Sequence, residues 1–178
     1  MLTLDDALKK RRSTRAFTDR PVSRAEVGTL LEAAILAPSA CNMQSWHFYA
    51  VMDSSVRAAF GEVCASWACT APVIFVICAD QTSLREKFGG RWGDDRLRTF
   101  VIQDTALAAE NLLLKAADMG LGGCFMGAFD AAKCREVLSI PEKYEIVALI
   151  PVGEPAEEIP PKERKPLAEV AEIIGGDD

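Results

Sequence analysis

The chain has 178 residues, 49% of them apolar, which suits one domain with a substantial core and argues against disorder. With 20 basic against 26 acidic side chains the net charge is −6, which disfavours a duplex nucleic-acid partner while leaving room for a small anionic ligand. No apolar run reaches membrane-spanning length, the N-terminus is polar and charged, and Cys41, Cys64, Cys69, Cys78, Cys124 and Cys134 form no C-x-x-C pair, so the expectation is a cytoplasmic protein with no membrane association, no signal peptide and no zinc site.

Thr3 and Asp6 have the spacing of a capping box, and Leu4, Ala7, Leu8 and Arg11 then recur at helical spacing. That first helix ends in a basic cluster, Arg11-Arg12-Ser13-Thr14-Arg15. On a helix Arg11 and Arg15 would face the same side, and their forked guanidinium groups match phosphate oxygens. Such a cluster also serves simply as a favourable charge at a helix C-terminus. Ser23 and Glu26 form a second capping box, ahead of the stripe Val27, Leu30, Leu31, Ala34 and Ile35, which Pro38 stops.

The stretch Ala37–Tyr49, read APSACNMQSWHFY, is a polar elbow feeding an apolar strand over Trp46–Met52. Ser39, Asn42 and Gln44 can each donate and accept hydrogen bonds, so they could read the edge of a heterocycle. Alternatively, Ser39 and Asn42 only fix the turn. The single histidine, His47, offers no Ser-His-Asp set.

A short helix over 54–68 follows, and the seven apolar residues Val73–Ala79 read as a strand buried on both faces. In Gln81–Arg98, eight of eighteen residues are charged; this reads as an exposed, mobile excursion, either a lid or a solvated loop. Phe100–Met119 is the longest helical pattern, apolar or small around most of its circumference, with Gly120 as its C-terminal cap. It is expected either as a central helix or as a dimer helix. The glycines of Gly122–Gly127 permit close approach to something flat. Asp130 opens a helix to Leu138, and Tyr144–Val152 reads as another buried strand.

After Gly153 come Pro155, Pro160, Pro161 and Pro166, an extended arm carrying Lys162, Arg164 and Lys165, then a short closing segment at Leu167–Ile174. Such an arm wraps its own domain or a neighbour, and its cations are either held for a ligand or a solvated charge run.

These features in this order resemble the nitroreductase family of flavin enzymes. RRSTRAF is similar to that family's Arg-x-Ser-x-Arg signature, and APSACNMQSWHFYAV to its Pro-Ser-x-x-Asn-x-Gln-Pro-Trp segment, with Ser45 in place of the proline. GLGGCFMGAFD and IVALIPVGEPAEEIPPKERKPLAEV resemble the third and fourth signatures, so the similarity spans nearly the whole chain.

The resemblance implies a single α+β domain over 1–178 with a three-layer arrangement: a central mixed, mainly antiparallel sheet flanked by helices. It implies an intertwined homodimer in which the arm, residues 154–178, is exchanged, with FMN bound at the interface. It assigns Arg11, Arg12, Ser13 and Arg15 to the phosphate, ribityl and pyrimidine end. Pro38, Ser39, Ala40, Asn42 and Gln44 fall at the isoalloxazine, Gly127 and Ala128 near N5, and Lys162 and Arg164 again at the phosphate. The implied activity is an FMN-dependent oxidoreductase that takes hydride from NAD(P)H and passes electrons to an organic acceptor such as a nitroaromatic or quinone, in ping-pong fashion, without a general base of its own. The alternatives are a dehalogenating or flavin-degrading relative and a non-catalytic FMN-binding protein.

Overall fold

In the computed structural model, residues 2–176 are described. Helix α1 (Leu4–Lys10) and helix α2 (Arg24–Ala34) both start from the expected capping boxes: Thr3 with Asp6, and Ser23 with Glu26, each close reciprocally on the backbone. Three helical-type hydrogen bonds, from the Ile35, Leu36 and Ala37 amides, carry the chain on into the elbow, so α2 itself stops short of Pro38.

Strand β1 (Trp46–Val51) leads to α3 (Ser54–Ala59), capped by the Asp53 carboxylate. The single helix expected over 54–68 is broken. After α3 the backbone tightens into 3-10 turns at Phe60–Glu62 and Ser66–Thr70, where Gly61 and Ser66 weaken helical continuation and Phe60, Val63 and Ala68 are buried by tertiary packing instead.

Strand β2 (Val73–Asp80) is buried on both faces as expected. Gln81–Arg98 is mostly exposed, but it is no loop. It folds as α4 (Thr82–Phe88) and the first turn of α5 (Asp94–Asp118), pinned by Leu84 and Leu97, both fully buried. Its charges occupy the outer faces of two short helical stretches, which hides two apolar anchors in a polar composition. Gly120, at φ 74°, ends α5: Leu121 N–H reaches Ala116 O and Gly120 N–H reaches Ala117 O, the paired bonds of a Schellman cap. The two-residue strand β3 (Gly122–Gly123), helix α6 (Ala131–Leu138) and strand β4 (Tyr144–Gly153) complete the core.

The sheet order is β1-β2-β4-β3, each neighbouring pair antiparallel, and one isolated parallel bridge joins Ser13 to Gly123. Side chains alternate across it. Val73, Phe75 and Ile77 of β2 pack against Leu30 and Ala34 of α2 and Ala108 and Leu112 of α5. Ile74, Val76 and Cys78 pack on the other side with Phe60, Val63, Ala68 and Cys134. The register shifts between Ile77 and Cys78, so Val147 is an extra residue on β4; this bulge is why Ala148 and Ile150 face α5 whereas Ile146 faces the opposite layer. The result is the expected three-layer α+β arrangement with α5 along the middle of one face.

Candidate functional site

The basic cluster does not continue α1. Arg11 has ψ 129° and closes the helix, and the next residues are non-helical, with an isolated β-bridge at Ser13. Thr14 N–H donates to Gly123 O at 3.0 Å, and Thr14 is buried. The one-turn helical spacing expected of Arg11 and Arg15 is therefore not realised. The tertiary bridge to Gly123 overrides the helical spacing. Gly123 is needed here, because a Cβ on it would stand 2.8 Å from Leu113 Cδ2 and 3.1 Å from Pro151 O.

The C-terminal arm lies against the same stretch. Ala156 N–H donates to Ala16 O at 3.0 Å, and Arg12 Nε donates to Ile159 O at 3.3 Å. This brings Lys162 and Arg164 over the cluster. An open cavity of about 620 Å³ results, lined by Leu8, Lys9, Arg11, Arg12, Ser13, Arg15, Ile159, Pro161, Lys162 and Arg164. Six of these ten residues are basic and none is acidic, in a chain whose net charge is −6.

The cations differ in how they are held. Arg11 Nε pairs with Glu110 Oε1 of α5 at 3.1 Å. Arg12 is largely committed to backbone carbonyls, those of Lys9, Arg11 and Ile159, and so ties the arm to the end of α1. Arg15 lies over the Trp67 ring, its Cζ 5.8 Å from the ring centre. Among the described residues, Arg15, Lys162 and Arg164 have no acidic partner.

The elbow is built separately. Ser39 Oγ accepts from Gln44 N–H at 3.0 Å, closing the loop on itself. Ala40 N–H donates to both carboxylate oxygens of Asp104, each at 3.0 Å. Asp104 lies buried within α5, and burial pushes its carboxyl above the ordinary value, partly offset by the Ala40 amide. Cys41, Asn42 and Gln44 hold left-handed backbone angles of 52°, 55° and 52°. Three non-glycine residues in that region within four positions is costly, and the Asp104 anchor is one of the contacts that hold them there. Ser45, at the position of the family's proline, is buried, and its hydroxyl has no hydrogen-bond partner among the described residues. Ala40 and Met43 pack on the cluster of Ala79, Leu84, Leu97 and Val101, which Phe88, Trp92 and Phe100 also cover, so α4 and the start of α5 wall the elbow.

Within one chain the two groups do not meet. No elbow residue (Pro38, Ser39, Ala40, Asn42, Gln44) lines the basic cavity, nor do Gly127 and Ala128. Gly127 and Ala128 are exposed, and a Cβ on Gly127 would meet nothing within 4 Å. Both groups are nevertheless anchored to α5. Glu110 holds Arg11 and Asp104 holds Ala40, and these anchors are about 9 Å apart along the helix and about 120° apart around it. One copy thus presents the basic cavity and the elbow on different sides of α5.

Sequence reading did not identify Thr14, Trp67, Asp104, Glu110 or Ile159. Asp104 and Glu110 gave a signal, as acids inside the most apolar helical pattern. The others act through tertiary neighbours that spacing does not reveal.

The model of the nitroreductase family matches residues 8–68 and 61–154, most of the chain. The chain belongs to the nitroreductase family. A protein of Methanothermobacter thermautotrophicus, provisionally named an NADH dehydrogenase/NAD(P)H nitroreductase, is 34% identical over 158 residues, covering 85% of this chain and 77% of its own. The NADH dehydrogenase of Thermus thermophilus is 30% identical, covering 96% and 95% of the two chains. Among solved structures, a nitroreductase family protein of Streptococcus pneumoniae superposes with a TM-score of 0.86 at 28% identity, over 97% of this chain and 100% of that one. An Exiguobacterium sibiricum structure in complex with FMN has the same fold, with a TM-score of 0.88 at 20% identity over 98% of each chain.

As a nitroreductase-family member, the protein is an FMN-dependent NAD(P)H oxidoreductase. The donor set suits that cofactor: a cavity with six cations and no acid matches a terminal phosphate dianion, which takes several charge-assisted hydrogen bonds. Among the described residues, no helix is long and apolar enough to cross a membrane, and no group of three or more His, Cys, Asp or Glu side chains is placed to hold a metal ion.

Proposed function

We propose that the basic cavity holds the FMN phosphate and that the reaction is transfer of reducing equivalents from NAD(P)H to an organic acceptor such as a nitroaromatic or a quinone. The observation that carries this is the convergence of Arg15, Lys162 and Arg164, cations without acidic partners, from the two ends of the chain onto one cavity. Arg11, already neutralised in part by Glu110, and Ser13 complete the ring of donors. Arg12 keeps the arm, and hence Lys162 and Arg164, in place.

The bound flavin supplies two-electron chemistry, with donor and acceptor taking turns at it. The elbow residues Pro38, Ser39, Ala40, Asn42 and Gln44 face the ring from a second copy of the chain, because one copy presents the elbow and the phosphate cavity on different sides of α5, and Gly127 and Ala128 lie near the ring's N5. Asn42 and Gln44 offer amide donors for the developing negative charge on the pyrimidine edge. No side chain of this set is a general base, so the protein's part is to orient, to hold the phosphate and to stabilise charge.

The homodimer rests on the same geometry. The arm ends in Leu167, Val170, Ile173 and Ile174, all exposed, with Ile174 at 93% and nothing of its own chain to cover it. On the globular part Leu4, Leu36 and Leu107 are also exposed, Leu36 at 80%.

The test is titration of flavin-free protein with FMN. Binding with quenched flavin fluorescence is expected, followed by bleaching of the flavin absorbance on adding NADH or NADPH. Steady-state lines that stay parallel when donor and acceptor are varied together support alternating use of one site. A colourless protein that takes up no added FMN would overturn the reading.

A further inference from the structure

Trp67 belongs to none of the sequence signatures, yet it touches the phosphate cavity through a residue that does. It sits in the 3-10 turn Ser66–Thr70, where Thr70 Oγ1 donates to Trp67 O at 2.7 Å and Ala68, fully buried, locks the turn into the core. The indole is half-buried against the sheet's outer layer. Its ring meets the Arg15 guanidinium at 5.8 Å, within the range of a cation–π contact. Arg15 is exposed, and its one other hydrogen bond is a long one, 3.4 Å, to Ser13 O.

A long, exposed arginine without an acidic partner loses much rotamer freedom when a ligand fixes it. An aromatic face that already restricts the side chain, without neutralising it, lowers that loss and leaves all the charge for the anion. An acid would restrict it equally well but would compete with the phosphate, as Glu110 does at Arg11. We infer that Trp67 is a positioning residue for Arg15: it holds the guanidinium at the mouth of the basic cavity in the orientation that receives the cofactor's phosphate. This rests on the assignment of that cavity to FMN and adds to it a residue that acts without touching the ligand.

The experiment compares FMN with riboflavin, which lacks the phosphate, on flavin-free wild type, Trp67→Leu, Trp67→Phe, Arg15→Gln and the double variant Arg15→Gln/Trp67→Leu. Freeing the Arg15 rotamers that the indole restricts predicts FMN binding weakened about two- to fivefold in Trp67→Leu, with riboflavin binding unchanged. Trp67→Phe restores most of the FMN affinity. In the Arg15→Gln background Trp67→Leu costs nothing further, since the two act as one unit.

A second readout needs no flavin. The indole ring current displaces the Arg15 Nε–H proton resonance, and Trp67→Leu returns it to the position of a solvated arginine. If that resonance does not move, the stack is absent and the inference fails, whatever the cavity binds. If it moves but FMN and riboflavin lose affinity equally, the stack exists and the phosphate assignment is what fails. Additive losses in the double variant would also overturn the coupling.

Discussion

The Asp104 carboxylate, buried within α5, receives the Ala40 amide on both of its oxygens, so a helix far along the chain fixes the elbow at the candidate ring-binding face. Removing the acceptor leaves a partly buried N–H without a partner. Asp104→Leu is therefore expected to destabilise by about 1–3 kcal/mol and to loosen residues 39–44, seen as faster amide exchange there. Asp104→Asn keeps an acceptor and removes the charge. Burial raises the folded-state carboxyl above its ordinary 3.8, so the native state binds the proton more tightly than the unfolded chain does. Wild type then loses stability as pH rises from 3.8 through the raised value, and the asparagine variant does not. A stability difference between the two that stays constant with pH would contradict this account.

Glu26 works in the opposite sense. The Ser23 amide, then the Arg20 guanidinium and the Ser23 hydroxyl, hold its carboxyl down from 4.5 to about 2. The stabilisation is complete above 4.5 and fades as pH falls toward 2. Glu26→Gln is expected to cost about 1 kcal/mol at neutral pH, the worth of a helix cap, with the denaturation midpoints of variant and wild type converging in acid.

Three glycines give opposite expectations for one substitution. Gly123→Ala places a methyl 2.8 Å from Leu113 Cδ2 and should cost about 1–3 kcal/mol while loosening the bridge to Ser13. At Gly120 there is open space but φ is 74°, so alanine there is strained by about 1 kcal/mol. Gly28 sits inside α2 with nothing within 4 Å, and Gly28→Ala should stabilise by about 0.5–1 kcal/mol. Chemical denaturation of the three variants checks the order.

Removal of everything after Pro155 is expected to convert the proposed dimer to monomer and to weaken FMN binding strongly, since Lys162, Arg164 and the exposed apolar end leave together. Sedimentation at unchanged dimer mass would count against the exchanged arm. Replacing only Lys162 and Arg164 by glutamine should keep the dimer and weaken FMN binding at least tenfold, the worth of a lost charge-assisted contact.

What could be read in advance was local. The two capping boxes, the Schellman glycine and the doubly buried β2 depend on residues a few positions apart, and each was legible. The basic residues were legible by type but not by conformation. Arg11 and Arg15 line one cavity from a non-helical stretch that Thr14 ties to Gly123, more than a hundred residues away in sequence. Gln81–Arg98 reads as an exposed lid or loop because its four large apolar residues, Leu84, Phe88, Trp92 and Leu97, are scattered among eight charges and around Gly89-Gly90, which leaves little periodicity to see. Trp67 was invisible, and Asp104 and Glu110 stood out only as acids in an apolar helix, because their roles exist only through partners brought in by the fold.

Helix α5 also works as a ruler. Its Asp104–Glu110 span sets the separation of the elbow from the arginine cluster, so one inserted residue inside it would turn one anchor by about 100° relative to the other and carry its half-site out of reach. Length changes should be accepted at the α4–α5 junction or in the arm beyond Arg164, and rejected within those six positions. Anyone enlarging or shrinking this scaffold would do well to cut elsewhere.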